Sequence, residues 1–160
     1  RAWEELAMAA EGNEGYSPPV TLTDGPFAGW QTWGGGRDPY ETLLGPFCFK
    51  IENGRARSAF IPRRDHLNGG GAIHGGALMS FADFSLFSIA HKELEGVRAV
   101  TLTCNSEFLS AGELGGMIEA HGEVLRETRS LIFVRGLVTQ GSRPLLAFSG
   151  TLKKINPTSR

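Results

Sequence analysis

The spacing of apolar positions changes character several times along this chain. Residues 2–11 place Trp3, Leu6, Ala7 and Ala10 at helical intervals, which predicts a short amphipathic helix. Residues 12–40 keep no period: Pro18, Pro19, Pro26, Pro39 and the run Gly34-Gly35-Gly36 interrupt it, leaving Trp30 and Trp33 as anchors of an irregular wrap, a lid or an oligomer contact. From Leu43 the pattern becomes regular, and two strand-like runs flank Asn53-Gly54, the strongest short-range signal for a tight antiparallel hairpin. A polar, glycine-rich loop over 63–75 leads into one long helix expected at 76–92. Four further strand-like runs lie near 97–108, 116–127, 130–140 and 144–154, separated by turn signals such as Ser110-Ala111-Gly112.

The long helix has almost no polar side: Leu78, Met79, Phe81, Ala82, Phe84, Leu86, Phe87 and Ile89 cover nearly every face. A helix apolar all round is expected to be buried all round. In a chain this short, an antiparallel sheet curled around it does this with least material. The expected class is α+β, in the order β-β-α-β-β-β-β, with residues 1–40 as an N-terminal extension and 41–156 as the domain.

Composition narrows the function. With 16 Lys plus Arg against 17 Asp plus Glu, the chain lacks the basic surface that nucleic-acid binders use, so neither nucleic acid nor an anionic membrane is an expected partner. Residues 1–15 lack the basic start and apolar run of a signal peptide, so a cytoplasmic location is the expectation. The longest apolar stretch, 77–90, contains Asp83 and is too short to span a bilayer. Two distant cysteines, Cys48 and Cys104, match no metal or redox spacing. The 22 glycines are roughly twice ordinary usage, and five of them crowd positions 69–71 and 75–76.

That crowding surrounds the candidate chemistry. Asp83 is the single acidic residue between Asp65 and Glu93 and falls in the middle of the apolar helix, where a carboxylate needs a partner, water or a raised pKa. No Ser, Thr, Asp or Asn stands just before Gly75-Gly76, so the first N–H groups of the helix are expected to be bare donors for an oxygen that becomes negative. Asn68 precedes Gly75 by seven residues, with His66 and His74 nearby; no zinc-type spacing accompanies them, and no metal is expected. Eight residues along a helix span about 12 Å. Two groups serving one carbonyl must each approach it within about 3 Å, so Gly75 and Asp83 act in one site only if they come from different subunits of a two-fold dimer.

The segment His66-Leu67-Asn68-Gly69-Gly70-Gly71-Ala72-Ile73-His74-Gly75-Gly76-Ala77-Leu78, followed by Asp83, resembles the hotdog-fold thioesterases, specifically those of the phenylacetic-acid-pathway (PaaI-like) subgroup. The resemblance covers about 43–154. It implies a hotdog fold, hydrolysis of an acyl- or aryl-CoA thioester, and a homodimer or dimer of dimers with sites at the interface. It gives the Gly75 N–H the oxyanion, Asp83 the role of general base or nucleophile, Asn68 the positioning of water, His74 the shaping of the loop, and Thr101 a place near the attacking water. Gly76, Phe84 and Phe87 are expected along the substrate, and Arg129 and Ser130 near the nucleotide. Coenzyme A enters as part of the substrate, with no other cofactor. Two alternatives stand beside hydrolysis: a non-catalytic acyl-CoA sensor, and a hotdog hydratase or dehydratase, whose expected His and Glu are here replaced by HGG and Asp83.

Overall fold

A computed structural model describes residues 18–34 and 38–155. The helix expected at 2–11 and Gly35 and Gly36 lie outside the described residues. Eight strands form one antiparallel sheet: β1 (Val20–Thr21), β2 (Gln31–Thr32), β3 (Cys48–Glu52), β4 (Arg55–Phe60), β5 (Arg98–Phe108), β6 (Ile118–Glu127), β7 (Leu131–Gln140) and β8 (Arg143–Ile155). Their spatial order is β1-β2-β3-β4-β6-β7-β8-β5. The two described helices are α1 (Pro39–Leu44) and α2 (Gly75–Ile89). The sheet curls around α2, the hotdog arrangement.

The expected hairpin is present: Asn53 and Gly54, with φ of 51° and 75°, turn β3 into β4. The four later strands stand within two residues of their expected bounds. Their length explains this, because ten or more residues of alternating burial leave a strong period-two signal. The helix pattern also held, although α2 ends at Ile89 and its continuation to 96 is a set of turns.

Three expectations are corrected. Residues 20–32 are not merely an irregular wrap: β1 and β2 extend the sheet beyond β3, and Phe27 and Trp30 form a second small core with Cys48 and Ala59. Leu43 and Leu44 do not begin a strand but end α1. Nor is α2 buried on every side. Gly76 and Met79 are exposed and Ser80, Asp83 and Phe87 half-buried, so positions three and four apart leave one open stripe along the helix.

The opposite face of α2 is the core. Phe81, Ala82, Phe84 and Leu86 pack with Phe47, Phe49, Phe60, Ile118, Ile132 and Leu152. Close approach is needed where α2 meets β8: a Cβ on Gly150 would lie 2.4 Å from the Leu86 side chain, so a larger residue would lift the helix off the sheet. The α2 serines on this side need internal acceptors. Ser85 donates to the Phe81 carbonyl at 2.7 Å, and Ser88 shares a 2.6 Å hydroxyl bond with Ser58.

Candidate functional site

Asp83 lies on the open stripe of α2 and faces β5. The Thr101 hydroxyl donates a 2.7 Å hydrogen bond to Asp83 Oδ1, tying helix to strand. Both residues line a cavity of about 600 Å³. Its apolar walls include Trp33, Phe49, Phe87 and Val100, and its polar groups include Asp38 and Glu41. Burial raises the Asp83 pKa; the Thr101 bond pulls it down, and the charge on Asp38 pushes it up again. The result is a carboxylate more basic than an exposed one, held in one orientation at the edge of an apolar space.

The loop before α2 has a different logic. Asn68 Oδ1 accepts from the Gly70 and Ala72 N–H groups at 2.9 and 3.2 Å, and its own N–H donates to the Ala72 carbonyl. Gly71, at φ 83°, completes a turn that a side chain would strain. The amide oxygen of Asn68 thus serves the loop. His74 Nδ1 accepts from the Gly76 N–H at 2.8 Å, which corrects the expectation of an uncapped helix. The side-chain cap is a histidine, outside the usual Ser, Thr, Asp and Asn set. Gly76 must be bare for this, since a Cβ there would sit 3.0 Å from His74 Nδ1. Its N–H is therefore spent on the cap. Among the described residues nothing takes up the Gly75 N–H, and the Phe108 ring packs close by, where a Gly75 Cβ would meet it at 3.0 Å.

His66 is structural. It is only 1% exposed; Nδ1 accepts from the Arg63 N–H at 3.0 Å, and Nε2 donates to the Leu44 carbonyl at 2.6 Å. With both nitrogens engaged it cannot ligate a metal, and among the described residues no three His, Cys, Asp or Glu side chains converge as a metal site. Arg63 is likewise committed, its guanidinium capping α1 through the carbonyls of Leu43, Leu44 and Gly45. Cys48 is buried, its thiol pushed up to about 12 by desolvation and the neighbouring Glu41.

The structure thus brings Asp83, Thr101 and Phe87 together. Phe84 is displaced from its expected role: at 2% exposure it sits behind the wall, in an aromatic cluster with Trp33, Phe47, Phe49 and Phe81. Asn68, His74, Gly75 and Gly76 lie at the other end of α2 and do not line the cavity. Arg129 and Ser130 form the β6–β7 turn. The Ser130 carbonyl accepts from Lys154 N–H at 2.8 Å, one residue before Ile155 of the cavity wall, so the turn stands at the same end of the sheet as the cavity.

Glu41 and Asp38 were not foreseen. They sit on α1, where Asp38 Oδ1 accepts from the Glu41 N–H at 2.9 Å and Pro39 opens the first turn. Asp-Pro-x-Glu is a helix-start signature, with a cap residue, a proline at the first position and an acid at the third. It was legible at 38–41 within a stretch otherwise too broken to show a period.

Comparison with known proteins bears on the family and the fold. Residues 70–147 match the thioesterase superfamily. A curated Pseudomonas aeruginosa protein named as an esterase is 29% identical over 115 residues, covering 70% of this chain and 85% of that one. Among solved structures, the phenylacetic acid degradation protein PaaI of Thermus thermophilus is 29% identical, with a TM-score of 0.63 over 74% of this chain and all of that one (100%). A Streptococcus pneumoniae thioesterase protein solved with coenzyme A shares the fold at 22% identity, with a TM-score of 0.62 over 71% and 88% of the two chains.

Proposed function

We propose that this chain, which carries the hotdog fold and matches the thioesterase superfamily over residues 70–147, hydrolyses an acyl- or aryl-CoA thioester to the free acid and CoA. The observation that carries this reading is Asp83, fixed by Thr101 at the edge of an apolar cavity of about 600 Å³. A carboxylate so placed has one face toward a hydrophobic acyl group and a basicity raised by burial. It acts on water as general base or on the thioester carbon as nucleophile. Water is the only co-reactant needed.

The oxyanion donor comes from a second copy. Strand β5 is the outer edge of the sheet, 11 residues long, with Leu102 and Phe108 more than half exposed. A long apolar edge is a template for another strand. The first half of β5 carries Thr101 beside Asp83, and its last residue is Phe108, against Gly75. Antiparallel pairing of two β5 strands about a two-fold axis sets opposite ends side by side, so Asp83 of one copy meets Gly75 of the other. The free Gly75 N–H then faces the thioester oxygen at a helix N-terminus. Nδ2 of Asn68 holds the water or the carboxylate, and Arg129 with Ser130 serves the nucleotide from the cavity end of the sheet. A dimer of dimers is compatible with the same pairing.

A panel of acyl-, phenylacetyl- and benzoyl-CoA substrates, followed by free-thiol release, tests the reaction. At least one is expected to turn over with thiol formed in step with acid. Saturable binding without thiol release would instead favour an acyl-CoA sensor, and water addition to an enoyl thioester would favour a hydratase.

A further inference from the structure

The mechanism above leaves one buried carboxyl group unused. Glu41 reaches from α1 into the space that holds Asp83, and both line the main cavity and a smaller adjoining pocket. Its placement is built rather than incidental. The Tyr40 hydroxyl bonds Ser80 Oγ of α2 at 2.8 Å, one turn before Asp83. At the other end of α1, Arg63 and His66 hold the Leu43, Leu44 and Gly45 carbonyls. Glu41 Oε2 is shut off from solvent and finds no hydrogen-bond partner among the described residues. Such an atom is costly as part of an anion, and far less so in a neutral carboxyl group.

The charged and titratable neighbours reinforce this. Asp38 faces Glu41 from the start of α1, Asp83 from α2, Cys48 from β3 and Cys104 from the smaller pocket, while His91, Glu95 and Arg98 line the wider cavity. No ion pair among the described residues joins a Lys or Arg to Glu41.

Resting on the hydrolase reading of the Asp83 site, we propose that Glu41 is a positioning residue of that site: its buried, unpartnered carboxyl stays protonated in the cavity it lines with Asp83, so that no second negative charge faces the reacting carbonyl. Desolvation first, then Asp38 and Asp83, push the Glu41 carboxyl up to about 8. Burial disfavours the Glu41 anion, and the charges of Asp38 and Asp83 add to that, so Glu41 stays neutral at neutral pH. Above that range the second charge appears beside the reacting carbonyl and opposes the negative charge developing on the thioester oxygen.

The test compares kcat/KM of wild type and Glu41→Gln from about pH 5 to 10 on a thioester the wild type hydrolyses; Gln keeps the shape and the neutral state. Both profiles are expected to share the acid limb set by Asp83. The wild type is expected to fall on the alkaline side near 8, while Glu41→Gln stays level and exceeds it several-fold at the top of the range. The same alkaline limb in both overturns the proposal. Carboxyl carbon NMR of the wild type without substrate gives a second readout: one Glu signal titrating near 8, absent in Glu41→Gln and shifted down in Asp83→Asn. A Glu41 signal in the ordinary carboxylate range also overturns it. Failure of the wild type to hydrolyse any thioester refutes the hydrolase reading instead, and the NMR titration then decides the protonation of Glu41 alone.

Discussion

Asp83→Asn is expected to lower kcat toward an acyl-CoA by roughly 10²- to 10⁴-fold, the range general acid–base groups contribute, with little change in KM. Asn keeps an oxygen for the Thr101 hydroxyl and nearly the same volume, so the cavity and the helix–strand tie persist. What disappears is the lone pair that takes a proton or attacks carbon. The wild-type acid limb is expected above 3.8, because Asp83 must be ionised to act and burial raises its pKa in the folded protein. The same shift fixes the sign for stability. A carboxyl group whose folded pKa is raised binds its proton more tightly in the native state, so its contribution is present at low pH and lost as pH rises through the folded value. Asn has no charge to bury, so Asp83→Asn is expected to be at least as stable as the wild type at neutral pH in thermal denaturation. Equal turnover in variant and wild type would remove Asp83 from the chemistry.

The second large effect is recovery by mixing. Gly75→Val places a branched side chain where a Cβ alone meets the Phe108 ring at 3.0 Å, displacing the oxyanion donor. Loss of one such donor costs about 10²- to 10³-fold in rate. Neither Gly75→Val nor Asp83→Asn is then active as a homodimer. Unfolded together and refolded in equal amounts, half of the dimers carry one chain of each kind. In those, one site combines the intact Asp83 of the first chain with the intact Gly75 of the second. About a quarter of wild-type activity is therefore expected from the mixture, by the arithmetic of a two-fold interface. A site contained in one subunit gives no recovery at any ratio.

How much of this was legible in the sequence followed element length and local chemistry. Strands β5 to β8 and helix α2 announced themselves because each repeats its period many times. Strands β1 and β2, of two residues each, carry no period at all and exist because β3 offers an edge to pair with. Asp83 stood out as a lone acid in an apolar helix, whereas Glu41 sat in a polar-looking stretch whose burial arises from α1 folding back onto α2. The His74 cap was hidden for a chemical reason, since an imidazole nitrogen accepts as a cap oxygen does but is rarely placed there. The open stripe on α2 was invisible because composition says which side chains are apolar and not which neighbours arrive to cover them. Phe84 and Phe87 illustrate this: three residues apart on one helix, one lies behind the cavity wall and one forms it.

Trp33 gives the cavity an optical consequence. Its indole stacks on Phe49 with ring centres 4.8 Å apart and planes 21° apart, and it forms part of the wall that an acyl group would touch. Trp30 belongs to the separate small core, beneath Lys50 and Arg57. An acyl group entering the cavity therefore replaces solvent around Trp33 and leaves Trp30 untouched, while Trp3 lies outside the described residues. The Trp33 part of the emission, isolated by a Trp33→Phe difference, becomes a meter of occupancy independent of turnover, and it counts substrate even in a variant whose carboxylate has been removed.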